Sequence, residues 1–366
     1  MSHMTYPEAM VVGLIQGVTE LFPVSSLGHN VLIPALVGGS WARDLNVSAS
    51  ESPYLAYIVG LHVATAIALL IYFWRDWVKI IGAWFSSIRA GRVTTPYQKL
   101  AWMIIFATIP VGLVGLKFEH VFRVLFGKPI RAAIFLVVNG LILYAGEKFR
   151  TRKSLRADAE VAAQRVPATG AVAPAGAHGA AALAHEQGGT VPAGGAVAAA
   201  AAGAGGGTVG TPVRQVASHA SGNRASRIAE QAVARSSDER LTAMSYWQAV
   251  IIGSVQILAL LAGISRDGVT MVAGMFRGLS REDAARFAFL LATPVILAAG
   301  VLKLGDLVTL GKGIYGPIIA GSILSGVGAY VSVRFLVRYF QTRTLTPFAI
   351  YCVLFGLFSI IYLQVK

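Results

Sequence analysis

Long apolar runs separated by short polar stretches dominate the chain. Tyr54–Trp74 carries no formally charged residue, over a length that suits a transmembrane helix of about 20 residues. Ala101–Leu116 and Ala132–Gly146 are shorter, but their flanking side chains can snorkel. Phe287–Leu302, Gly313–Val333 and Leu345–Val365 repeat the pattern near the C-terminus. These runs predict six full spans. Two further apolar stretches, roughly 6–40 and 244–276, have polar, Gly- and Ser-bearing centres. The first is interrupted at Pro23-Val24-Ser25-Ser26-Leu27-Gly28, the second over Ala262–Gly268.

Residues 150–240 break the pattern. They are mostly Ala and Gly with Pro, Ser and scattered Arg, and they hold an unbroken Ala/Gly tract at Ala198–Gly207. Such a stretch buries too little apolar surface to offset its ordering entropy, so it reads as a disordered cytoplasmic linker. The predicted organisation is a first membrane repeat over 5–149, the insert at 150–240, and a second membrane repeat over 241–366. Met1–Met4 is set aside. No cleavable signal peptide is expected, because the N-terminal stretch lacks a basic region.

Composition supports a bilayer as solvent. Of the 366 residues, 55% are hydrophobic and 13% charged, against about 25% charged in soluble proteins; mean hydropathy is +0.64. The single cysteine, Cys352, excludes an intrachain disulfide and a Cys-based zinc site. A net charge of +14 would suggest nucleic acid in a soluble protein. Here the basic residues lie between apolar runs, so they read as topology signal and anionic-lipid contact, with no nucleic-acid partner.

Those charges orient the spans. Arg75, Lys79, Arg89, Arg92 and Lys99 crowd loop 75–99; the insert is basic, as are the loops around Arg277 to Arg286 and Arg334 to Arg343. All four belong in the cytoplasm by the positive-inside rule. Loop 117–131, with Lys117, Arg123, Lys128 and Arg131, opposes that orientation. If the insert and the Arg277 loop share one side, 244–276 enters and leaves on that side as a re-entrant hairpin. By the same parity 6–40 is re-entrant from the other side. Non-helical backbone at membrane depth is tolerated only inside protein or beside a water-filled cavity.

An internal repeat agrees. At an offset of 240, Ala9 matches Ala249, Gly13 matches Gly253, Gln16 matches Gln256, Ser25 matches Ser265 and Gly28 matches Gly268. Copies entering from opposite sides make an inverted-topology repeat, whose broken helices meet near the midplane. The expected fold is therefore all-α and polytopic, an inverted repeat of six full spans plus two re-entrant helical hairpins. That architecture suits a transporter, so chemistry must decide.

Gln16 and Glu20 share one helix face, Pro23 should end that helix, and Ser25, Ser26 and His29 follow. An acid, two hydroxyls and an imidazole in an apolar chain mark a functional site, since ionisable groups in a membrane are costly. The second break, Gly263-Ile264-Ser265-Arg266-Asp267-Gly268-Val269-Thr270, offers backbone donors, hydroxyls and a guanidinium. Helix starts attract anions, and Arg makes bidentate bonds to phosphate. The bland alternative for Glu20 is a structural or snorkelling acid, and for Arg266 a cytoplasmic loop cation. The repeat register sets Arg266 opposite Ser26, but Glu20 opposite Leu260. One half thus supplies acid and nucleophile, the other a phosphate clamp.

These motifs resemble those of the undecaprenyl-diphosphate phosphatases, also called bacitracin-resistance proteins. That family shows Glu/Gln-x-x-x-Glu running into Pro-Val-Ser-Ser-Thr-Gly-His, and Pro-Gly-x-Ser-Arg-Ser-x-x-Thr. Gln16, Glu20, Ser25, Ser26, Gly28 and His29 fit the first motif; Gly263, Ser265, Arg266 and Thr270 fit the second. Leu27, Ala262 and Asp267 depart from it, and Asp267 sets a negative charge beside the phosphate site. The resemblance covers both halves but not the insert, which is not expected in most members. It implies a plasma-membrane enzyme that hydrolyses undecaprenyl diphosphate to undecaprenyl phosphate. Such an enzyme recycles the lipid carrier for peptidoglycan synthesis and confers bacitracin resistance.

On this reading Ser26 attacks the terminal phosphorus or orients an attacking water, and His29 or Glu20 takes the proton. Arg266 neutralises the transferring group. Gln16, Ser25, Gly263, Ser265 and Thr270 bind substrate. A divalent cation, Mg²⁺ or Ca²⁺, would bridge Glu20, Gln16 and the diphosphate, because hard cations choose oxygen ligands. Arg266→Ala is expected to stay folded and lose activity. Membrane lipids are partners, and a homodimer is compatible with the fold.

Other polar positions carry less. His62 lies mid-span and reads as a core group or a cavity liner; Glu119, His120 and Glu147 sit at span ends. Trp74, Trp77, Trp84 and Trp102 read as an interfacial belt, and the glycines of Gly321–Gly328 as close helix packing. A lipid-phosphate transporter or flippase using the same anion site is the rival reading. The type-2 phosphatidic-acid phosphatases fit poorly, since their second histidine would fall at Val272.

Overall fold

A computed structural model describes residues 4–45, 53–126, 128–165, 237–302 and 315–365. Among the described residues the secondary structure is entirely helical. The elements are α1 (Tyr6–Leu21), α2 (Ser26–Val37), α3 (Gly39–Asp44), α4 (Pro53–Tyr72), α5 (Trp74–Ala90), α6 (Pro96–Phe126) and α7 (Pro129–Arg165). After the insert come α8 (Tyr246–Ser254), a 3₁₀ turn (Val255–Leu260), α9 (Arg266–Phe276), α10 (Arg281–Leu302), α11 (Tyr315–Thr342) and α12 (Thr346–Val365).

The chain divides into two compact units, Met1–Ala157 with Gln231–Lys366, and Asp158–Glu230. The first holds the apolar helices found among the described residues. Of the second, only the last turns of α7 are described.

Among the described residues five helices are long and apolar enough to cross a bilayer: Pro96–Phe118 of α6, Pro129–Arg152 of α7, α10, α11 and α12. The pair Tyr57–Tyr72 and Trp74–Ala90, bent by 85°, raises the number to as many as six. This is a multi-pass membrane protein.

Three polar stretches differ from expectation. The basic loop 75–99 is mostly the helix α5. Loop 117–131 is helical as far as Phe126. The linker's first part continues α7 to Arg165. The reason for the last is local: residues 150–165 contain Ala, Arg, Lys, Leu, Glu and Gln but neither Gly nor Pro, so helix propensity holds until Pro167 nears. The rest of the stretch read as disordered, up to residue 236, lies outside the described residues.

Both apolar stretches with polar centres are helix–break–helix units, and their capping repeats at the offset of 240. Thr5 and Glu8 form a capping box on α1, as Ser245 and Gln248 do on α8. After each break, Ser25 caps α2 by accepting from Gly28 N–H at 3.2 Å, and Ser265 caps α9 by accepting from Gly268 N–H at 3.1 Å. Ser25 does so at φ 69°, unusual for a residue with a Cβ.

Small residues set how closely α1 approaches α11. A Cβ on Gly17 would stand 2.9 Å from Ser325 Cα, and Gly13 faces the Gly321 backbone with no more room. The close packing expected of Gly321–Gly328 is thus directed at α1 through Gly321 and Gly328, and at α4 through Gly326.

The first turns of α10 hold the chain on both sides of the insert. Arg281 pairs with Glu147 of α7, which also accepts Leu345 N–H at 3.1 Å. Asp283 accepts from Arg240 and Ser237 at 2.5 and 2.6 Å. Arg286 meets Asp76 at 3.1 Å and Asp238 at 2.5 Å. Glu147 is therefore an ion-pair partner rather than a free interfacial acid.

Candidate active site

The two helix breaks meet in the interior. Ser25 Oγ accepts from Gly263 N–H at 3.2 Å. Asn139, fully buried on α7, donates to Pro23 O and accepts from Ser265 N–H, both at 3.0 Å. One amide thus satisfies a carbonyl from the first break and an N–H from the second, groups that would otherwise be costly to bury. Gly263 takes φ 109° here, and a Cβ would stand 2.8 Å from that of Phe135. Only glycine suits the position.

Ser26 and Arg266 are the first residues of α2 and α9. Two helix N-termini, each with positive partial charge and unpaired N–H groups, therefore converge on one polar cluster.

Its centre is Glu20. Oε1 accepts from Arg266 Nη2 at 2.8 Å. Oε2 accepts from Gln16 Nε2 at 2.7 Å and from the Ser26 hydroxyl. His62 Nε2, on α4, stands 3.3 Å from Oε2, an ion pair when the ring is protonated. Asn30 Nδ2 donates to Gln16 Oε1 at 2.6 Å, which aims the Gln16 amide nitrogen at the carboxylate. The Glu20 side chain is 4% exposed, Arg266 15% and His62 26%, so the acid lies at the bottom and the guanidinium and the imidazole form the open rim.

Arg266 also faces a second acid. Its Nε is 3.4 Å from Asp267 Oδ1. Asp267 Oδ2 is buried with no hydrogen-bond partner among the described residues.

A family model described as bacitracin resistance protein BacA matches residues 9–175 and 195–358. The chain belongs to this family. An undecaprenyl-diphosphatase of Mycolicibacterium paratuberculosis is 51% identical over 366 residues, covering 100% of this chain and 99% of its own. An undecaprenyl-diphosphatase 2 of Frankia alni is 51% identical over 363 residues, 97% of each chain. An undecaprenyl-diphosphatase 2 of Chromobacterium violaceum is 34% identical over 360 residues, covering 97% of this chain and 98% of its own. The BacA match reaches into 150–240 from both ends, further than the motifs alone reach.

In this BacA-family chain the residues singled out from sequence fall into three groups. Gln16, Glu20, Ser26 and Arg266 come together around one carboxylate. Ser25, Gly263, Ser265 and Thr270 lie next to it, but the groups expected to bind phosphate are engaged by the fold. Ser25 and Ser265 cap helices, Gly263 N–H binds Ser25, and the Thr270 hydroxyl donates to Arg266 O at 2.7 Å. They fix the backbone that presents Arg266.

His29 is directed elsewhere. Nδ1 donates to Ser25 O at 2.7 Å, Nε2 is 2.7 Å from the Tyr351 hydroxyl, and the ring stacks on Tyr351 and Phe355. With Nδ1 on the Ser25 carbonyl and Nε2 on Tyr351 of α12, neither nitrogen is directed to the Ser26 hydroxyl. The histidine at the carboxylate is His62, which the sequence left as either a core group or a cavity liner. Its signal was a lone imidazole mid-way along an otherwise apolar span. Asn139 gave the same kind of signal, a single amide inside the run 132–146.

The Gln16–Glu20 pair does not suit a resident Mg²⁺ or Ca²⁺. Gln16 presents its nitrogen to Glu20 and its oxygen to Asn30, and the carboxylate is already paired with Arg266. Among the described residues no three His, Cys, Asp or Glu side chains gather as a metal site.

Proposed function

We propose that this BacA-family protein hydrolyses undecaprenyl diphosphate to undecaprenyl phosphate and inorganic phosphate in the bacterial plasma membrane. It thereby returns lipid carrier to peptidoglycan synthesis and confers resistance to bacitracin. The observation that carries the proposal is the Glu20 carboxylate, holding a hydroxyl on one oxygen and a guanidinium on the other. The names of relatives about half identical over the whole chain point the same way.

The terminal phosphate enters between the N-termini of α2 and α9. Arg266 turns its outer nitrogens to the phosphate oxygens and so releases Glu20. Ser26 Oγ forms a bond to the terminal phosphorus while Glu20 Oε2 takes its proton. The bond from phosphorus to the bridging oxygen breaks, and undecaprenyl phosphate leaves with the electron pair. Water then displaces Ser26 from phosphorus, Glu20 returns the proton to Oγ, and the water's proton leaves on inorganic phosphate. If Ser26 instead orients a water, Glu20 serves as base to that water. His62, 3.3 Å from Oε2, positions the Glu20 carboxyl for both proton transfers. Stabilising charge as it develops is the main task in phosphoryl transfer. A divalent cation, Mg²⁺ or Ca²⁺, belongs to this proposal only as a companion of the diphosphate oxygens, and no step runs through it.

The two helix–break–helix units are proposed to be re-entrant hairpins of an inverted repeat, entering from opposite faces. Their matching caps and the closely spaced serines support this reading. The prenyl tail then lies among the lipid-facing helices while the diphosphate reaches the buried site.

A transporter would need the anion site but not a hydroxyl bonded to a buried base. Phosphate release from C55 diphosphate in detergent, with and without chelator, separates the two, because detergent leaves no second compartment. The enzyme reading expects turnover by the wild type and none by Glu20→Gln. Absence of turnover by the wild type under both conditions would leave the transporter.

A further inference from the structure

Helix α5 divides into three sectors. Trp74, Val78, Ile81, Phe85 and Ile88, spaced by four and three residues, form one apolar face and are all exposed, from 47% at Ile81 to 64% at Val78. Ile80 and Ser87 are buried, and Trp77 and Trp84 pack on the protein core from the adjoining face. Arg75, Lys79 and Arg89 are exposed on the remaining side, with Arg92 just beyond the helix end. The only acid on α5, Asp76, is taken by Arg286 at 3.1 Å, so it does not offset those cations.

The helix axis bends 85° from that of α4. By itself α4 is an apolar helix of 20 residues, the length of a span, and a helix nearly perpendicular to a span runs along the membrane surface. In that attitude one sector meets the protein, the apolar sector faces the acyl chains, and the basic sector lies level with the headgroups. Three sectors with three different surroundings describe a helix lying in the interface, which neither a span nor a water-facing loop requires. The tryptophans agree, since Trp74 is exposed at the elbow and Arg75 lies over its ring at 5.3 Å.

We infer that α5 is an in-plane anchor whose Arg75, Lys79 and Arg89 bind anionic lipid headgroups, and that it is not the second half of a broken span. The occupant of its apolar face is the acyl boundary of the protein's own bilayer, and charge complementarity selects anionic lipid. Each Lys or Arg near an anionic surface is worth about fivefold in lipid partitioning. This inference does not depend on the phosphatase reading and can stand or fall without it.

The test uses the full-length protein in nanodiscs of phosphatidylcholine alone or with one quarter phosphatidylglycerol. Native mass spectrometry of the released complex counts retained lipid. A spin label on Ile81→Cys reports depth. Wild type should retain phosphatidylglycerol over phosphatidylcholine, and the triple variant Arg75→Gln, Lys79→Gln, Arg89→Gln should lose that preference by about tenfold or more. The label should sit just below the headgroups, accessible to oxygen and shielded from a water-soluble relaxer. A label at mid-bilayer depth, a label open to water, or strong dipolar coupling between labels of two copies would each overturn the inference. So would an unchanged lipid preference in the triple variant, whose folding is checked by its circular dichroism melt.

Discussion

Ser26 and Arg266, equivalent first residues of α2 and α9, bind opposite oxygens of the Glu20 carboxylate. The repeat is symmetric in backbone and asymmetric in chemistry. Its caps recur at an offset of 240, yet the position equivalent to Glu20 is Leu260, at the end of the 3₁₀ turn. One carboxylate therefore serves both halves, and changing any member of the trio should affect the other two.

Arg266→Ala illustrates this. Sequence reading expects the variant to stay folded, but its partner is a carboxylate with a side chain only 4% exposed. Removing one member of a buried pair costs about 3–5 kcal/mol. Arg266→Ala should lose activity and melt well below wild type in detergent. Adding Glu20→Gln should restore most of the melting temperature and none of the activity. An unchanged melt for Arg266→Ala would mean that Glu20 is not held as described.

His62→Gln removes the imidazole 3.3 Å from Glu20 Oε2 without leaving a void. Phosphate release should show kcat lowered by about 10²-fold, the scale of losing one preorganised polar partner at the reacting centre, with KM within about twofold. His29→Gln should act mainly on stability, through Tyr351. The reverse pattern would return the base to His29.

The sequence made the breaks legible because Pro23 and Gly263 have local consequences: one removes a helix donor, the other permits φ 109°. The polar cluster was legible in outline, since charged and hydroxyl groups in an apolar chain need partners. Which histidine faces Glu20 was not. A helix turns 100° per residue, and the rotation that points His62 inward depends on how α4 packs, on contacts such as Tyr57 to the Ala9 carbonyl. Helix α5 was obscured for a similar reason. Its charge marked a loop, while its apolar spacing became meaningful only with one face free.

Asn139→Ala should separate architecture from chemistry. The amide touches no reacting group but satisfies Pro23 O and Ser265 N–H. Each buried group left without a partner costs about 1–3 kcal/mol. A lowered thermal melt together with reduced phosphate release is expected, and full activity at wild-type stability would contradict the bridging role.

Asp267→Asn takes away the acid beside the guanidinium while keeping an acceptor for Nε at 3.4 Å. Less of the Arg266 charge is then offset, so the diphosphate should bind more tightly. KM should fall by about threefold to tenfold, the scale of one screened charge at close range. A raised KM would show instead that Asp267 is needed to aim Arg266.

The most direct measurement is the initial rate of phosphate release from C55 diphosphate by purified Ser26→Ala beside wild type. Loss of the hydroxyl that Glu20 holds should lower kcat by about 10³-fold or more, in a variant that circular dichroism shows to be folded. A Ser26→Ala enzyme turning over at the wild-type rate would show that the bond from Ser26 to Glu20 is not where the chemistry takes place.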